Sequence, residues 1–443
     1  GDMRQVWLLR ATAVFVLLTA SGFTSCGGGL VAGEELDPLT LDWASFRGTK
    51  GQSVISDTGF PISWDEALDK GILWKSPVPL NGACSPVVCG NRVFLAGANA
   101  KERAVYCFDA GTGALIWQRN VASSTIQEDP FDETGYAIPT VTMDGRRVFA
   151  AFGTGTVASF TYKGDAVWSV DLGMPKNLYG HASSLLVAGG LLIVQMDQNP
   201  EWPPGAPGWV YHSRLLGLDP LTGATVWSAS DEQREVEASW SSPILIDTSG
   251  KLQVITVARP VVFAHDPATG TELWRVNDDT GIGSGDTIPS PAYAGGKVVV
   301  LGSEVVAISP EGSGNVTATH VNWTTDSSDH GVPSPVGDAA CVYILDEQGT
   351  LSCLNTADGS TRWVHTLSSS ESEYNASPIL AGGHLYCLRK DGHATGLAVS
   401  SSGAKEVGTG TLNDSECVAT PAFADGRIYI RTARSLYCIW RDD

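Results

Sequence analysis

The chain has few basic residues and only one apolar run of any length, which lies near its start. Lys and Arg together number 28 against 48 Asp and Glu, so the formal net charge is −20. Binding to a phosphate backbone or to anionic lipid requires clustered positive charge, and this balance argues against both. No later segment approaches the roughly 20 apolar residues that span a bilayer. The acidity is typical of a protein that stays soluble.

Signatures of common catalytic and metal sites are also missing. The sequence contains no His-Glu-x-x-His, no Cys-x-x-Cys, no EF-hand loop and no Gly-x-Ser-x-Gly. Each of these patterns places a nucleophile, a base or a set of metal ligands at a fixed spacing. We therefore predict no catalytic residue, no metal and no cofactor.

The first residues have the features of an export signal. Arg4 and Arg10 precede the apolar run at 11–18, and small residues follow up to Cys26. The segment ending at Cys26 resembles a bacterial lipobox, which predicts a lipid anchor there. Plain cleavage stays open, because Phe23 stands where leucine is usual. We predict a signal peptide at 1–26, a flexible tether at 27–41 and a location in the periplasm or at the outer membrane.

One unit recurs along the rest of the chain. Each copy has an apolar strand, a glycine turn, a second strand and then Asp-x-x-Thr-Gly-x-x-x-Trp, as in Asp109–Trp117. Asp and Gly suit tight turns, and the Trp is predicted on the outermost strand, between neighbouring blades. Val407 replaces the Trp in one copy. The predicted structural tryptophans are Trp74, Trp117, Trp168, Trp227, Trp274, Trp323 and Trp363.

The repeat length predicts an all-β fold, an eight-bladed β-propeller of four-stranded antiparallel blades over residues 42–443. Eight strand starts support this count. They are Pro86, Pro139, Leu185, Pro243, Pro291, Pro335, Pro378 and Pro421. The last unit, Thr420–Asp443, ends one strand short, and a spare strand stands at Ile72–Trp74. We expect the N-terminal strand to complete the last blade, because closure removes an open sheet edge.

These repeats resemble the PQQ-type propeller repeats of quinoprotein dehydrogenases and of the outer-membrane β-barrel assembly lipoprotein. Trp43–Gly48, Gly59–Pro61 and Trp74–Pro79 resemble exported planctomycete-type propellers in particular. The resemblance implies the fold over residues 42–443. For the dehydrogenases it also implies a Cys-Cys pair, a calcium site and a haem motif in some members. This sequence has neither the Cys-Cys pair nor the haem motif, so PQQ and calcium are not expected.

The nine cysteines include eight besides Cys26. An even number in an oxidising compartment permits disulfides. Cys341 and Cys353 are the best candidates, because they flank a turn near Gly349 and are predicted to face each other on a hairpin. The alternative, which we favour, is that the cysteines are buried small apolar residues.

Two groups of residues are candidates for binding. Both are predicted on the face of the propeller that carries the loops between successive blades. Converging carboxylates and histidines at a channel mouth could hold a cation or a polar ligand, although solvated side chains are common there. These channel-mouth candidates are His181, Asp286, His330, Glu373 and Glu416. Long loops with aromatic residues suit a protein interface or simple packing on the rim. The loop candidates are Phe131, Trp202, Trp209 and Tyr211.

Together these features predict a non-catalytic, exported propeller that acts as a scaffold and binds an envelope protein. One process in which it could act is the assembly of outer-membrane proteins. We expect a monomer that does not bind nucleic acid. Two alternatives stay open. One is a PQQ- or metal-dependent oxidoreductase, which the missing cysteine pair disfavours. The other is a carbohydrate-binding propeller, in which the loop tryptophans would stack on sugar rings.

Overall fold

Strands make up nearly all regular structure in the part of the chain that the computed structural model describes. It describes residues 36–441, with gaps at 124–134, 178–179, 202–203, 206, 230–235, 278–286, 327–330, 368–371 and 415. Residues 38–443 belong to one compact unit. No helix in the described ranges is long and apolar enough to cross a bilayer.

The strands are short and follow one another with few interruptions. In the first half of the chain they are β1 (Val54–Ile55), β2 (Trp64–Asp65), β3 (Ile72–Pro77), β4 (Val87–Cys89), β5 (Arg92–Ala98), β6 (Arg103–Asp109), β7 (Leu115–Asn120), β8 (Thr142–Met143), β9 (Arg147–Ala151), β10 (Thr156–Thr161), β11 (Ala166–Asp171), β12 (Leu186–Ala188), β13 (Leu191–Met196), β14 (Arg214–Leu218) and β15 (Thr225–Ala229).

The second half continues the same pattern and contains one short helix, α1 (Thr317–His320). Its strands are β16 (Ile244–Thr248), β17 (Lys251–Ala258), β18 (Val261–His265), β19 (Glu272–Val276), β20 (Ala292–Ala294), β21 (Lys297–Leu301), β22 (Glu304–Ile308), β23 (Gly314–Asn315), β24 (Val321–Asp326), β25 (Val336–Gly337), β26 (Cys341–Leu345), β27 (Thr350–Asn355), β28 (Thr361–Thr366), β29 (Ile379–Ala381), β30 (His384–Leu388), β31 (His393–Ser400), β32 (Gly403–Thr411), β33 (Ala422–Ala424), β34 (Arg427–Arg431) and β35 (Ser435–Ile439).

Eight sheets follow in chain order, one for each predicted blade, and each has four antiparallel strands. The short strands β23, β1 and β2 add parallel pairs to the edges of the fourth and seventh sheets. The first is β4–β7 and the eighth is β33–β35 with β3 at its outer edge. In the eighth sheet Trp74 lies opposite Cys438, and Pro77 lies opposite Ser435. The prediction of eight blades closed by an N-terminal strand is therefore confirmed. Closure leaves the last blade without an unpaired edge on β35.

Burial follows the position of a strand within its blade. β6 is buried along almost its whole length, because neighbouring blades cover both of its faces. β7, the outermost strand of the same blade, buries only Trp117. The apolar residues of the inner strands thus form the core, and the outer strands supply one large side chain to it.

The tryptophans occupy one register position on the fourth strand of a blade, directly after a bulge, and in the fourth blade β23 pairs outside that strand. Trp117, for example, lies opposite Cys107, and the pairing shifts immediately beyond. Its indole N–H donates to the Tyr162 carbonyl of the next blade at 3.0 Å. A Cβ built at Gly164 of that blade would lie 2.9 Å from the Trp117 ring. Only a residue without a side chain fits there, so this Trp–Gly pair joins two blades. Trp74, Trp168, Trp227 and Trp323 meet a glycine in the same way, whereas Trp274 donates to Gln253 of its own blade at 2.8 Å.

The seventh blade departs from this rule, and the prediction for Val407 was wrong in register. Val407 is the bulge residue, and Gly408 lies opposite Gly396 at the position that Trp takes elsewhere. Cβ atoms built at Gly396 and Gly408 would collide with Ile62. An N-terminal segment fills the space that the indole fills in other blades. β2 of that segment pairs in parallel with β32, with Trp64 opposite Gly410.

This segment, residues 39–66, is named the N-terminal strap. It crosses the ends of the inner strands, from the first two blades to the fourth and then the seventh. Its backbone contacts include hydrogen bonds between Trp43 and Val88, from Met143 to Ala44, from Leu245 to Lys50 and from Leu380 to Ser53, all between 2.8 and 3.0 Å. Phe60 then packs edge-on against Phe423, with ring centroids 5.1 Å apart. The strap therefore lies on the face opposite the inter-blade loops.

The cysteines follow the favoured alternative, and the candidate pair Cys341 and Cys353 forms no disulfide. All eight described cysteines are free and buried. The turn of this hairpin is centred at Gln348, so Cys341 lies opposite Asn355 and Cys353 lies opposite Tyr343. Pairing Cys341 with Cys353 would require a turn centred at residue 347, one residue earlier in the chain. Burial raises the pKa of the Cys387 and Cys417 thiols, the latter to about 12, as is typical of unreactive core cysteines.

Candidate functional site

A ring of eight hydroxyl side chains surrounds the propeller axis, one at the start of each innermost strand. At seven successive junctions the backbone N–H of one ring residue donates to the hydroxyl of the ring residue in the next blade, at 2.9–3.0 Å. The hydroxyl ring consists of Ser85, Thr140, Ser184, Ser242, Ser290, Ser334, Ser377 and Thr420. Because each bond joins two blades, the ring holds the inner strands in register.

The hydroxyl ring has a recurring signal in the sequence. A proline follows the hydroxyl residue in six blades, and the recurring Ser-Pro pair was taken only as a strand start. In the second blade the ring residue is Thr140, and Val141 takes the place of the proline. The strand start assigned to Pro139 is therefore two residues early.

A central cavity of about 450 Å³ lies inside the ring. Residues two positions before the hydroxyls form its second layer, because alternate residues of an extended chain point the same way. This layer is apolar except for one amide. Its members are Ala83, Ile138, Ala182, Trp240, Ile288, Val332, Asn375 and Val418. The cavity thus has a hydroxyl floor and an apolar wall, a composition typical of pockets that hold a small apolar group.

Charged residues lie on one side of the central cavity, at the sixth and seventh blades. Glu347, Glu373 and Lys390 all line it. The Lys390 ammonium is 3.6 Å from the Glu416 carboxylate. The Asn375 Oδ1 is buried and accepts no hydrogen bond from the described residues. This side therefore offers more acceptors than donors to an incoming group.

The N-terminal strap closes the end of the central cavity that lies away from the inter-blade loops. Phe46 lines the cavity, and Arg47 beside it is 1% exposed. The Arg47 guanidinium donates to the Pro291 carbonyl at 3.0 Å, to the Pro335 carbonyl and to the Ser53 hydroxyl at 2.8 Å. Burial lowers the pKa of Arg47 to about 9, which still leaves it charged at neutral pH. The central channel is therefore closed at the end covered by the strap and open at the other.

The structure describes three of the five channel-mouth candidates, and one of these three lines the central cavity. Glu373 lines the central cavity, whereas the side chain of Glu416 is 66% exposed and pairs with Lys390. His181 is 3% exposed and does not line the cavity. Burial lowers the pKa of His181 to about 4, so its imidazole is neutral at pH 7. Asp286 and His330 lie outside the described residues.

The structure describes two of the four loop candidates. Trp209 is 56% exposed, and Tyr211 is half-buried. A short bridge between Glu201 and Val210 holds this part of the third blade. Phe131 and Trp202 lie outside the described residues, as does Cys26, the predicted lipidation site.

The described residues do not fit a quinone such as PQQ, which carries several carboxylates. The ionisable side chains that line the central cavity are two glutamates and one lysine, and that lysine already faces Glu416. A polyanion would meet net negative charge there. In the ranges that the structure covers, no group of three or more His, Cys, Asp and Glu side chains is placed to hold a metal ion.

Comparison with known proteins identifies the family and the fold. The family model described as outer membrane protein assembly factor BamB matches residues 65–259 and 302–406. BamB from Moraxella catarrhalis superposes with a TM-score of 0.60 at 14% identity, over 84% of this chain and 97% of that one. A europium-containing methanol dehydrogenase superposes with a TM-score of 0.65 at 11% identity, over 91% and 98%. No curated protein matches the sequence. At these identities the superpositions show the propeller fold alone.

Proposed function

Because the chain belongs to the family of outer membrane protein assembly factor BamB, we propose that it is a non-catalytic envelope protein that binds another protein. Binding takes place on the face that carries the inter-blade loops. The process in which we propose that the chain takes part is the assembly of outer-membrane proteins. The chain acts there as an exported monomer, anchored through Cys26.

The central cavity is the observation that carries this proposal. Its apolar wall, including Ile288 and Val332, surrounds a space that fits one or two apolar side chains. The N-terminal strap closes the far end, so an inserted side chain meets Phe46 and does not pass through. Buried apolar anchors surrounded by polar groups are the usual energetic centre of a protein interface. The glutamates at the sixth and seventh blades would favour a partner with a basic residue near its apolar anchor.

Site-specific photo-crosslinking tests this function. A photoreactive amino acid at Ile288 or Val332 should give a discrete adduct with one envelope protein in cells that express the chain. The matched control is Leu252, which is 38% exposed near the turn that follows β16 on the opposite face. Adducts of equal pattern from Leu252 and Val332, or no adduct from either wall position, would contradict the proposal.

A charged substitution gives an independent measure of the same interface. Val332→Glu places a carboxylate in the apolar wall, and its desolvation opposes insertion of an apolar side chain. We expect the yield of adduct from Ile288 to fall about tenfold, which corresponds to about 1.4 kcal/mol. Circular dichroism should show an unchanged fold, because residue 332 is half-buried and precedes the first strand of its blade. An unchanged yield would show that the wall does not contact the partner.

A further inference from the structure

A second cavity, of about 400 Å³, lies between the N-terminal strap and the seventh and eighth blades. It is separate from the central cavity and shares no lining residue with it. Phe60 and Ile62 of the strap, Tyr386 of β30 and Val407 of β32 give it an apolar surface. We name it the strap cavity.

The charge of the strap cavity is opposite to that of the whole chain. Lys70, His384 and Arg441 line it, and no Asp or Glu is among the lining residues. The chain as a whole has 48 acidic against 28 basic residues. Asp57 and Asp69 are near in sequence, but both are exposed and neither lines the cavity. Asp442 and Asp443 follow Arg441 and lie outside the described residues. A local excess of positive charge in an acidic protein marks a place where an anion is attracted.

The basic side chains around this cavity are not neutralised by the rest of the described chain. No ion pair or side-chain hydrogen bond joins Lys70, His384 or Arg441 to another described residue. Tyr386 also lines the cavity, and its phenol, whose pKa burial raises to about 12, is protonated at neutral pH. The cavity therefore offers donors and positive charge at its edge, and no carboxylate is among its lining side chains.

From these features we propose that the strap cavity binds an amphipathic anion, a carboxylate or phosphate group joined to an apolar chain. The head group contacts Lys70 and Arg441, which form charge-assisted hydrogen bonds with such oxygens. The apolar part lies against Phe60, Ile62 and Val407 and removes the exposed surface of Ile62 and Val407 from water. The volume is within the range of pockets that hold small ligands. A free amphipathic acid and the head group of an anionic lipid share this chemistry.

Calorimetric titration of the full chain tests this site with defined probes below their micellar concentration. Dodecyl phosphate and dodecanoate should bind with micromolar affinity, and dodecyltrimethylammonium should bind at least tenfold more weakly. Vesicles of phosphatidylglycerol, compared with vesicles of phosphatidylcholine, separate the two sources. Binding to the soluble probes identifies a free acid as the ligand type, and binding confined to anionic vesicles identifies lipid. Equal affinity for the cationic and anionic probes, or no binding to any probe, would overturn the proposal.

The double variant Lys70→Glu/Arg441→Glu locates the binding. We expect the affinity for dodecyl phosphate to fall at least tenfold, while the thermal midpoint stays unchanged because both side chains are exposed. The control Lys163→Glu/Lys251→Glu makes the same change in net charge at exposed positions of the second and fourth blades. It should leave the affinity within about twofold, since exposed charges at that distance are screened. Equal losses in the two double variants would show attraction by net charge alone.

Discussion

Gly408→Trp is expected to detach the N-terminal strap and to lower the free energy of unfolding by about 3 kcal/mol or more. The substitution restores the tryptophan that other blades carry at this register, but Ile62 already occupies the space. Any Cβ at position 408 would collide with the Ile62 carbonyl oxygen, which belongs to backbone and cannot rotate away. A released strap exposes Phe60 and Trp64, now 7% and 5% exposed.

Thermal unfolding and limited trypsin digestion measure this effect. Arg47 is buried beneath the central cavity, so trypsin should cut there in the variant and not in the parent chain. Gly403→Ala on the same strand is the matched control, because its Cβ would meet nothing within 4 Å. It should unfold within about 0.5 kcal/mol of the parent. If trypsin did not cut at Arg47 in Gly408→Trp, and this variant were as stable as Gly403→Ala, the strap would contribute little to the stability of the fold.

The eight blades were predictable because each repeat signals its own local structure. The Asp-x-x-Thr-Gly turn and the Trp that follows it lie within nine residues, and strand spacing follows from them. Closure was predictable as well, since one missing strand and one spare strand match. Trp74 takes the same register on β3 that Trp117 takes on β7.

The strap and its consequences could not be predicted in the same way. Arg47 contacts the carbonyl of Pro291, 244 residues away, and no periodic pattern records such a contact. The replacement of Trp by Gly408 is explained only by Ile62, which lies far earlier in the chain. The channel-mouth candidates were chosen by counting back from strand starts. Counting cannot tell that His181 is buried whereas Glu373 lines the central cavity.

The eighth blade is closed by a cluster of charged groups as well as by β3, and Glu66 is its centre. The Tyr437 hydroxyl lies 3.0 Å from Glu66 Oε1 and 3.2 Å from Asp414 Oδ2. The Lys75 ammonium is 3.0 Å from Glu66 and 3.5 Å from Asp414. The backbone N–H of Asn413 donates to Glu66 Oε2 at 2.6 Å. These residues join the strap, β3, the loop after β32 and β35, so we expect the cluster to secure ring closure.

Glu66→Gln should therefore lower the free energy of unfolding by about 2 kcal/mol at pH 7, the usual contribution of hydrogen bonds to a charged group. Burial raises the pKa of Glu66, but the hydrogen bonds from Asn413, Lys75 and Tyr437 outweigh it, so the pKa lies below 4.5. A lowered pKa stabilises the fold above pH 4.5, and this stabilisation is lost as the pH falls through the folded value. The pKa of Lys75 is raised above 10.5 by Glu66 and Asp414 against the effect of burial, so its contribution is lost at high pH.

Urea unfolding of the parent and of Glu66→Gln at several pH values measures this linkage. The difference between the two proteins should be largest between about pH 5 and pH 10 and should vanish once the pH has fallen below the folded pKa of Glu66, where both side chains are neutral. Tyr437→Phe removes the shared donor and should reproduce part of the loss at pH 7. Asp358→Asn is the control, because Ser360 lowers the pKa of that carboxylate on an exposed turn that joins no distant segments. A difference that stayed constant from pH 3 to pH 7 would mean that Glu66 acts through its shape and not through its charge.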